Sequence, residues 1–68
     1  MRDHEDRPPF RVGDRVKKPT VSDREFVVLK IRHLAWKRQW TMDLGVAGEI
    51  EPEVILGNQY VTSDWKRV

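Results

Sequence analysis

The chain has 68 residues, of which 38% are hydrophobic and 35% charged, and its formal net charge at pH 7 is +2. A chain of this length buries one modest core, which excludes a second domain. The absence of cysteine excludes a disulfide framework, thiolate metal ligands and a cysteine nucleophile. No apolar run approaches the roughly 20 residues of a membrane-spanning helix, and the first ten residues are too acidic and polar for a signal peptide. We therefore expect a cytoplasmic protein without a membrane partner.

The small net charge hides an uneven distribution of charge along the chain. Residues 7–38 carry ten basic and three acidic side chains, whereas residues 39–64 carry five acidic side chains and no lysine or arginine. If the two segments formed separate surfaces, the basic one would attract polyanions through counterion release. If their strands alternate in a sheet, opposite charges neutralise each other across neighbouring strands. The sequence leaves both arrangements open.

The first nine residues differ in composition from the rest. They contain one hydrophobic residue besides two prolines, and Pro8-Pro9 favours an extended backbone leading into Phe10. Such a segment adds little to a core. We predict a flexible N-terminal arm over residues 1–9 and one folded domain over residues 10–68.

From Phe10 onward, hydrophobic residues recur with the period of two that is typical of β-strands. The first strand is predicted over Phe10–Lys18, with a turn or bulge at Gly13-Asp14. The second and strongest is predicted over Glu25–Leu34, a segment rich in β-branched and large hydrophobic residues. One face of this strand should point towards the core and carry Val27, Leu29 and Ile31. The other face should point towards solvent and carry Lys30 and Arg32.

The third strand is predicted where Trp40, Met42 and Leu44 alternate with polar residues, so that one face is core and the other is exposed. Trp40 is therefore expected in the core, together with Phe26 and Trp65.

The C-terminal part of the chain gives weaker signals. Ile50–Leu56 is predicted as a weak strand, because Pro52 restricts it to an edge or to the strand start. Gly57-Asn58 indicates a turn. Thr62–Asp64 can cap one short helical turn around Trp65, ahead of a last short strand. About five short antiparallel strands with one helical turn before the last predict an all-β barrel or roll.

The opening segment Phe10-x-Val12-Gly13-Asp14-x-Val16, followed by a long strand, a hairpin and an aromatic tail, resembles the SH3-like small barrels. This group includes KOW and Tudor domains and the plasmid-borne type II dihydrofolate reductases. The resemblance covers residues 10–68 and implies a single SH3-like barrel. Because unrelated barrels share this opening motif, it specifies the fold better than the function.

The first strand and the tail, residues 60–68, are also similar to those of the type II dihydrofolate reductases. That resemblance implies four protomers that share one pore-like active site, built from a Val-Gln-Ile-Tyr segment just before the tail. The matching stretch here is Gly57-Asn58-Gln59-Tyr60, in which Tyr60 fits, Asn58 replaces the family's Gln and Gln59 replaces its Ile. A tetrameric reductase is therefore the remote alternative.

No residues have the spacing of a catalytic or metal site. His4 and His33 are 29 positions apart, with no carboxylate at ligand spacing. Glu49, Glu51 and Glu53 would line one face of a strand, where we interpret them as a solvated edge that opposes aggregation. We predict a non-catalytic protein without a metal or cofactor.

The basic hairpin gives the strongest functional signal. Trp36 lies among four basic side chains, namely Lys30, Arg32, Lys37 and Arg38. Lysine and arginine neutralise phosphates, while an exposed ring stacks on a base, which contributes about 1–3 kcal/mol. We predict that these five residues contact nucleic acid. The structural alternative is that Trp36 folds back onto the core edge.

A protein partner is the other functional hypothesis. In SH3-like barrels, loop aromatics typically build the partner-binding surfaces, so the resemblance implies Trp36 and Tyr60 as anchors, with a charged face steering the partner. The sequence does not give the oligomeric state.

Overall fold

The computed structural model describes residues 8–68, so His4 and the predicted arm, apart from Pro8 and Pro9, lie outside the described residues. This part of the chain folds into strands and turns without a helix, and so holds none that could cross a membrane. The all-β prediction of about five short antiparallel strands is confirmed. The strands are β1 (Arg15–Lys17), β2 (Glu25–Leu34), β3 (Gln39–Val46), β4 (Leu56–Tyr60) and β5 (Lys66–Arg67).

All five strands form one antiparallel sheet in the order β4-β3-β2-β1-β5. Each of the first four pairs with its neighbours in the chain, and β5 returns to pair with β1. Within residues 8–68 no pairing joins β4 to β5, so the sheet is open and the predicted closure into a barrel is not observed. The last strand, β5, has only two residues, and it pairs with β1. A cleft of about 230 Å³ lies beside Leu56 of β4 and Trp65, which leads into β5.

The predicted helical turn before the last strand is a single tight turn instead. The Trp65 N–H donates to the Thr62 carbonyl oxygen at 3.2 Å, and the Asp64 N–H donates to the Thr62 hydroxyl at 3.4 Å. The extended strand β5 begins directly afterwards, at Lys66, which leaves no residues for a helical turn.

The first and fourth strands differ from the sequence prediction in their bounds. β1 covers Arg15–Lys17 only, because Gly13 adopts a φ of +97° and Asp14 N–H bonds back to the Arg11 carbonyl in a turn. The predicted strand Ile50–Leu56 is a loop as far as residue 55. The strand β4 begins at Leu56 and runs through Gly57-Asn58, where a turn was predicted. The proline at position 52 lacks the N–H that a strand ladder needs.

The bounds predicted for β2 are confirmed, but its faces are only partly as predicted. Val28 pairs with Leu44 and Lys30 pairs with Asp43, which leaves Leu29 as the extra residue of a bulge. Val28 is therefore completely buried, whereas Val27 and Leu29 are half-buried. After the bulge the predicted pattern holds, with Ile31 against the core and both basic residues of the strand exposed.

The core lies on one face of the bent sheet. Its buried members come from both ends and the middle of the chain: Phe10, Val16, Val28, Met42, Leu44 and Trp65. Phe26 packs edge-on against Trp65, with the ring centroids 6.1 Å apart. Trp40 was predicted in the core, but it is only half-buried. Its ring lies at the edge of the core, with its centroid 4.6 Å from that of the His33 ring.

Gly45 in β3 is the point at which the loop before β4 packs on the sheet. A Cβ atom built at Gly45 would lie 2.8 Å from the Glu53 carbonyl oxygen, 2.9 Å from Leu29 Cδ1 and 3.0 Å from Pro52 Cβ. Since real Cβ atoms do not approach backbone oxygens this closely, only glycine lets the loop rest here.

We expect Gly45→Ala to lower the free energy of unfolding by about 1–3 kcal/mol, the usual cost of overpacking a filled site. Urea denaturation followed by tryptophan fluorescence measures it. Gly57→Ala is the matched control, because a Cβ there meets only ordinary contacts of 3.8 and 3.9 Å. Equal stabilities for the two variants would contradict the packing described for Gly45.

Asp14 ties the start of the domain to its last strand. Its Oδ2 accepts hydrogen bonds of 2.9 Å from the Arg11 backbone N–H and from Arg67 Nη2. The Arg11 N–H does most to lower the pKa of Asp14 below its ordinary 3.8, and Arg67 lowers it further, while partial desolvation opposes both. The carboxylate therefore stabilises the fold in its ionised form.

This lowered pKa gives a pH dependence of known sign. The stabilisation is fully present above pH 3.8 and is lost as the pH falls through the lowered folded-state pKa. We expect Asp14→Asn to be less stable than the native chain at neutral pH and to lose less stability on acidification. Chemical denaturation at a series of pH values tests this, with the exposed Asp23→Asn as control. Parallel pH profiles for the native chain and Asp14→Asn would refute it.

Candidate nucleic-acid interface

The register of three strands builds a row of side chains on the face opposite the core. Arg32 of β2 lies opposite Thr41 of β3, which lies opposite Tyr60 of β4. Residues directly opposite in antiparallel strands point to the same side, and the neighbouring Met42 points into the core. We call the side that carries Arg32, Thr41 and Tyr60 the outer face.

One carboxylate holds Arg32 in position on this face. Asp43 Oδ1 accepts hydrogen bonds from Arg32 Nη2 at 3.1 Å and from the Asn58 backbone N–H at 2.9 Å. Arg32 Nη2 also donates to Asn58 Oδ1 at 2.6 Å. The Arg32 side chain nevertheless remains 42% exposed, against 15% for Asp43. The guanidinium is thus oriented by the protein and still accessible to a ligand.

An ammonium group lies between two aromatic rings at the hairpin tip. Lys37 Nζ is 5.2 Å from the ring centroid of Trp36 and 4.9 Å from that of Tyr60, and it donates to the Tyr60 hydroxyl at 3.0 Å. Trp36 is 79% exposed, so it does not fold back onto the core edge. Tyr60 is 44% exposed. The tip therefore presents two rings and a cation to solvent together.

The turn that carries this cation is tightly bonded and contains a strained residue. Lys37 N–H donates to the Leu34 carbonyl at 3.0 Å and Arg38 N–H to the Ala35 carbonyl at 3.2 Å. Arg38 adopts a φ of +52°, a conformation that costs roughly 1–2 kcal/mol for a residue with a side chain. An arginine stands where glycine or asparagine would be less strained.

Tyr60 separates two shallow depressions on the outer face. One, of about 290 Å³, is lined by Arg32, Leu34, Thr41, Asn58 and Tyr60. The other, of about 390 Å³, is lined by Lys37, Gln39, Tyr60 and Thr62. Each depression combines a cation, the tyrosine ring and polar side chains, which suits a planar ligand with an anionic group.

The structure brings together most of the residues singled out in the sequence. Around the two depressions the structure places Arg32, Trp36, Lys37 and Tyr60, although the sequence analysis did not assign Tyr60 to the nucleic-acid surface. Lys30 is exposed further along β2, and Arg38 is exposed in the turn. Among the described residues, neither of these two side chains contacts the ring of Trp36 or of Tyr60. Sequence reasoning missed Gln39, Thr41, Asp43, Asn58 and Thr62, which only the register across three strands could reveal.

The strands of the two charge segments do not alternate in the sheet: β1 and β2 of the basic segment lie together, β3 and β4 of the acidic segment lie together, and the two meet where β2 pairs with β3. Of the ion pairs among the described residues, Arg32 to Asp43 joins the two segments, Arg15 to Glu25 lies within the basic one, and Arg67 to Asp14 joins it to the C-terminus. By contrast, the three glutamates of residues 49–53, predicted on a strand edge, lie exposed on the loop before β4. Nowhere in residues 8–68 do three His, Asp or Glu side chains lie close enough to hold a metal ion.

Comparison of the chain with protein-family models, with curated proteins and with solved structures finds no match.

We expect Asp43→Ala to loosen both Arg32 and the strand β4, lowering the free energy of unfolding by about 1–3 kcal/mol, as for a lost hydrogen bond to a charged group. Amide hydrogen exchange should accelerate most at Asn58, whose N–H loses its acceptor. The exposed Asp64→Ala serves as control. Unchanged exchange at Asn58 would contradict the role given to Asp43.

Proposed function

We propose that this chain is a small, non-catalytic binding module that contacts nucleic acid through the hairpin tip and the adjoining outer face. Lys30, Arg32, Lys37 and Arg38 contact phosphates, and Trp36 and Tyr60 stack on bases. The observation that carries the proposal is the Lys37 ammonium between the exposed rings of Trp36 and Tyr60. Surfaces that bind single-stranded nucleic acid combine cationic side chains with accessible aromatic rings.

Binding in this scheme exchanges one set of contacts for another. The contacts of an exposed ammonium with a ring contribute about 0.5–1 kcal/mol, so Lys37 can leave the rings for a phosphate. The vacated ring faces then stack on bases, which contributes about 1–3 kcal/mol for each base. Bases offer their faces only when they are unstacked, so the proposal favours single strands over duplexes.

We further propose that the fold is an SH3-like arrangement in an open form. Its support is the strand order, because a last strand that returns to the first brings the two ends of the sheet towards each other. The remote alternative, a reductase-like tetramer, has less support. Asn58 replaces the glutamine of that family's segment, and its amide oxygen and backbone N–H are already occupied by Arg32 and Asp43.

A fluorescence-anisotropy titration with labelled single-stranded and double-stranded oligonucleotides, at about 50 and 200 mM salt, tests the function. We expect saturable binding of the single strand, quenching of tryptophan fluorescence and a steep loss of affinity at the higher salt concentration. No binding at the lower salt concentration would refute nucleic-acid binding and leave Trp36 and Tyr60 to a protein partner.

Charge reversal at the tip sharpens the test. We expect Lys37→Glu combined with Arg38→Glu to weaken binding and to reduce the slope of log K against log salt by about 1.5, because two phosphate contacts are lost. Arg24→Glu combined with Lys66→Glu makes the same change of net charge at the other end of β2 and is the matched control. If both double variants bind alike, only the net charge matters and the tip is not the binding site.

A further inference from the structure

The loop between β3 and β4 carries hydrophobic side chains that the monomer leaves in solvent. We call residues 49–55 the acidic loop, because three glutamates alternate there with hydrophobic residues and proline. Ile50 is 99% exposed, and Val54 and Ile55 are about half exposed. An isoleucine that buries none of its surface contributes nothing to the stability of the monomer. Several exposed hydrophobic side chains in one short loop, with charged residues between them, favour a surface that a partner covers.

The acidic loop lies on the same side of the sheet as the basic hairpin site, at the other end. Pro52 and Glu53 pack against Gly45, whose missing side chain would point to the outer face because its neighbours Leu44 and Val46 alternate with it. Gln39, beside the hairpin tip, is six residues away along β3, roughly 20 Å at the rise of a strand. One face of the molecule thus has an acidic, hydrophobic end and a basic, aromatic end.

This arrangement is complementary to itself. If two copies meet outer face to outer face, related by a twofold axis that lies parallel to the sheet and perpendicular to β3, the acidic end of each lies on the basic end of the other. Both contacts form at once, so the assembly closes as a dimer and does not grow into chains. The depression of about 290 Å³ has the apolar surfaces of Leu34 and Tyr60 in its lining, beside Arg32, Thr41 and Asn58, and these two side chains can accept Ile50.

We propose that the chain forms a twofold dimer in which the acidic loop of each copy covers the hairpin tip of the other. Glu49 and Glu51 face Lys37 and Arg38 of the second copy, and Ile50 enters the recess beside Tyr60. The dimer needs no nucleic acid. Its carboxylates occupy the surface assigned above to phosphates, so oligonucleotide and second copy exclude each other.

Sedimentation velocity of the full chain, without nucleic acid and over a range of concentrations, tests the dimer. The native chain should sediment as a monomer–dimer equilibrium that weakens with salt. Ile50→Ser should weaken association at least about tenfold, as expected when the burial of an isoleucine is lost. Val12→Ser, at another exposed hydrophobic residue, should change nothing. A monomer at every concentration, or a tetramer, would overturn the proposal.

Complementary charge reversal gives the decisive measurement. A loop variant (Glu49→Lys with Glu51→Lys) and a tip variant (Lys37→Glu with Arg38→Glu) should each associate at least about tenfold more weakly than the native chain. An equimolar mixture should recover dimers, because each altered loop then meets an altered tip and each native tip a native loop. Circular dichroism first establishes that both variants are folded. A mixture of the folded variants that stays monomeric overturns the proposal.

The failure of the dimer and the failure of the proposed function are distinguishable. Dimers without oligonucleotide binding would refute only the nucleic-acid proposal. A chain that stays monomeric without nucleic acid and still binds the oligonucleotide would refute only the dimer. If both hold, added single strand should convert dimers into monomeric complexes, which is visible in the same sedimentation experiment.

Discussion

The carboxylate of Asp43 is the constraint on which the rest of the site depends. Two strands flank β3, and each carries a bulge at the level of Asp43 and Leu44. On the β4 side, Leu44 pairs with Leu56 and Met42 pairs with Gln59, so two residues of β4 lie opposite Asp43. The backbone of Asn58 there adopts a φ of +52° and donates its N–H to the carboxylate. Without that acceptor the bulge would leave a backbone donor unpaired.

The two bulges determine which side chains reach the outer face. Side chains in a strand alternate between faces, so one extra residue moves every later side chain to the opposite face. Without the bulge at Leu29, Arg32 would point into the core and Ile31 into solvent. Without the bulge at Gly57-Asn58, Gln59 would replace Tyr60 on the outer face. Arg32 and Tyr60 therefore meet on one face because both neighbours of β3 are shifted at the same level.

This dependence explains what could be predicted from the sequence. The bounds of β2, the alternation of Met42 and Leu44, and the all-β class follow from local hydrophobic periodicity, and the structure confirms them. The bulges do not follow, because they depend on contacts between strands, such as the hydrogen bond from the Asn58 N–H to the Asp43 carboxylate. Gly57-Asn58 looks like a turn, since both residue types tolerate positive φ, yet Asn58 uses that freedom inside a strand. The open seam between β4 and β5 likewise does not follow from local periodicity, because it depends on how two strands distant from each other in the sheet are placed.

The two edges of the open sheet have a consequence for solubility. An exposed edge offers unpaired backbone groups to another chain, which is a common route to aggregation. Here β5 has two residues and both are basic, while β4 is interrupted by its bulge and by Gln59, whose side-chain amide donates to the Gly57 carbonyl. Neither edge offers a long, regular row of donors and acceptors for a growing fibril. The molecule can thus leave its sheet open without inviting strand addition.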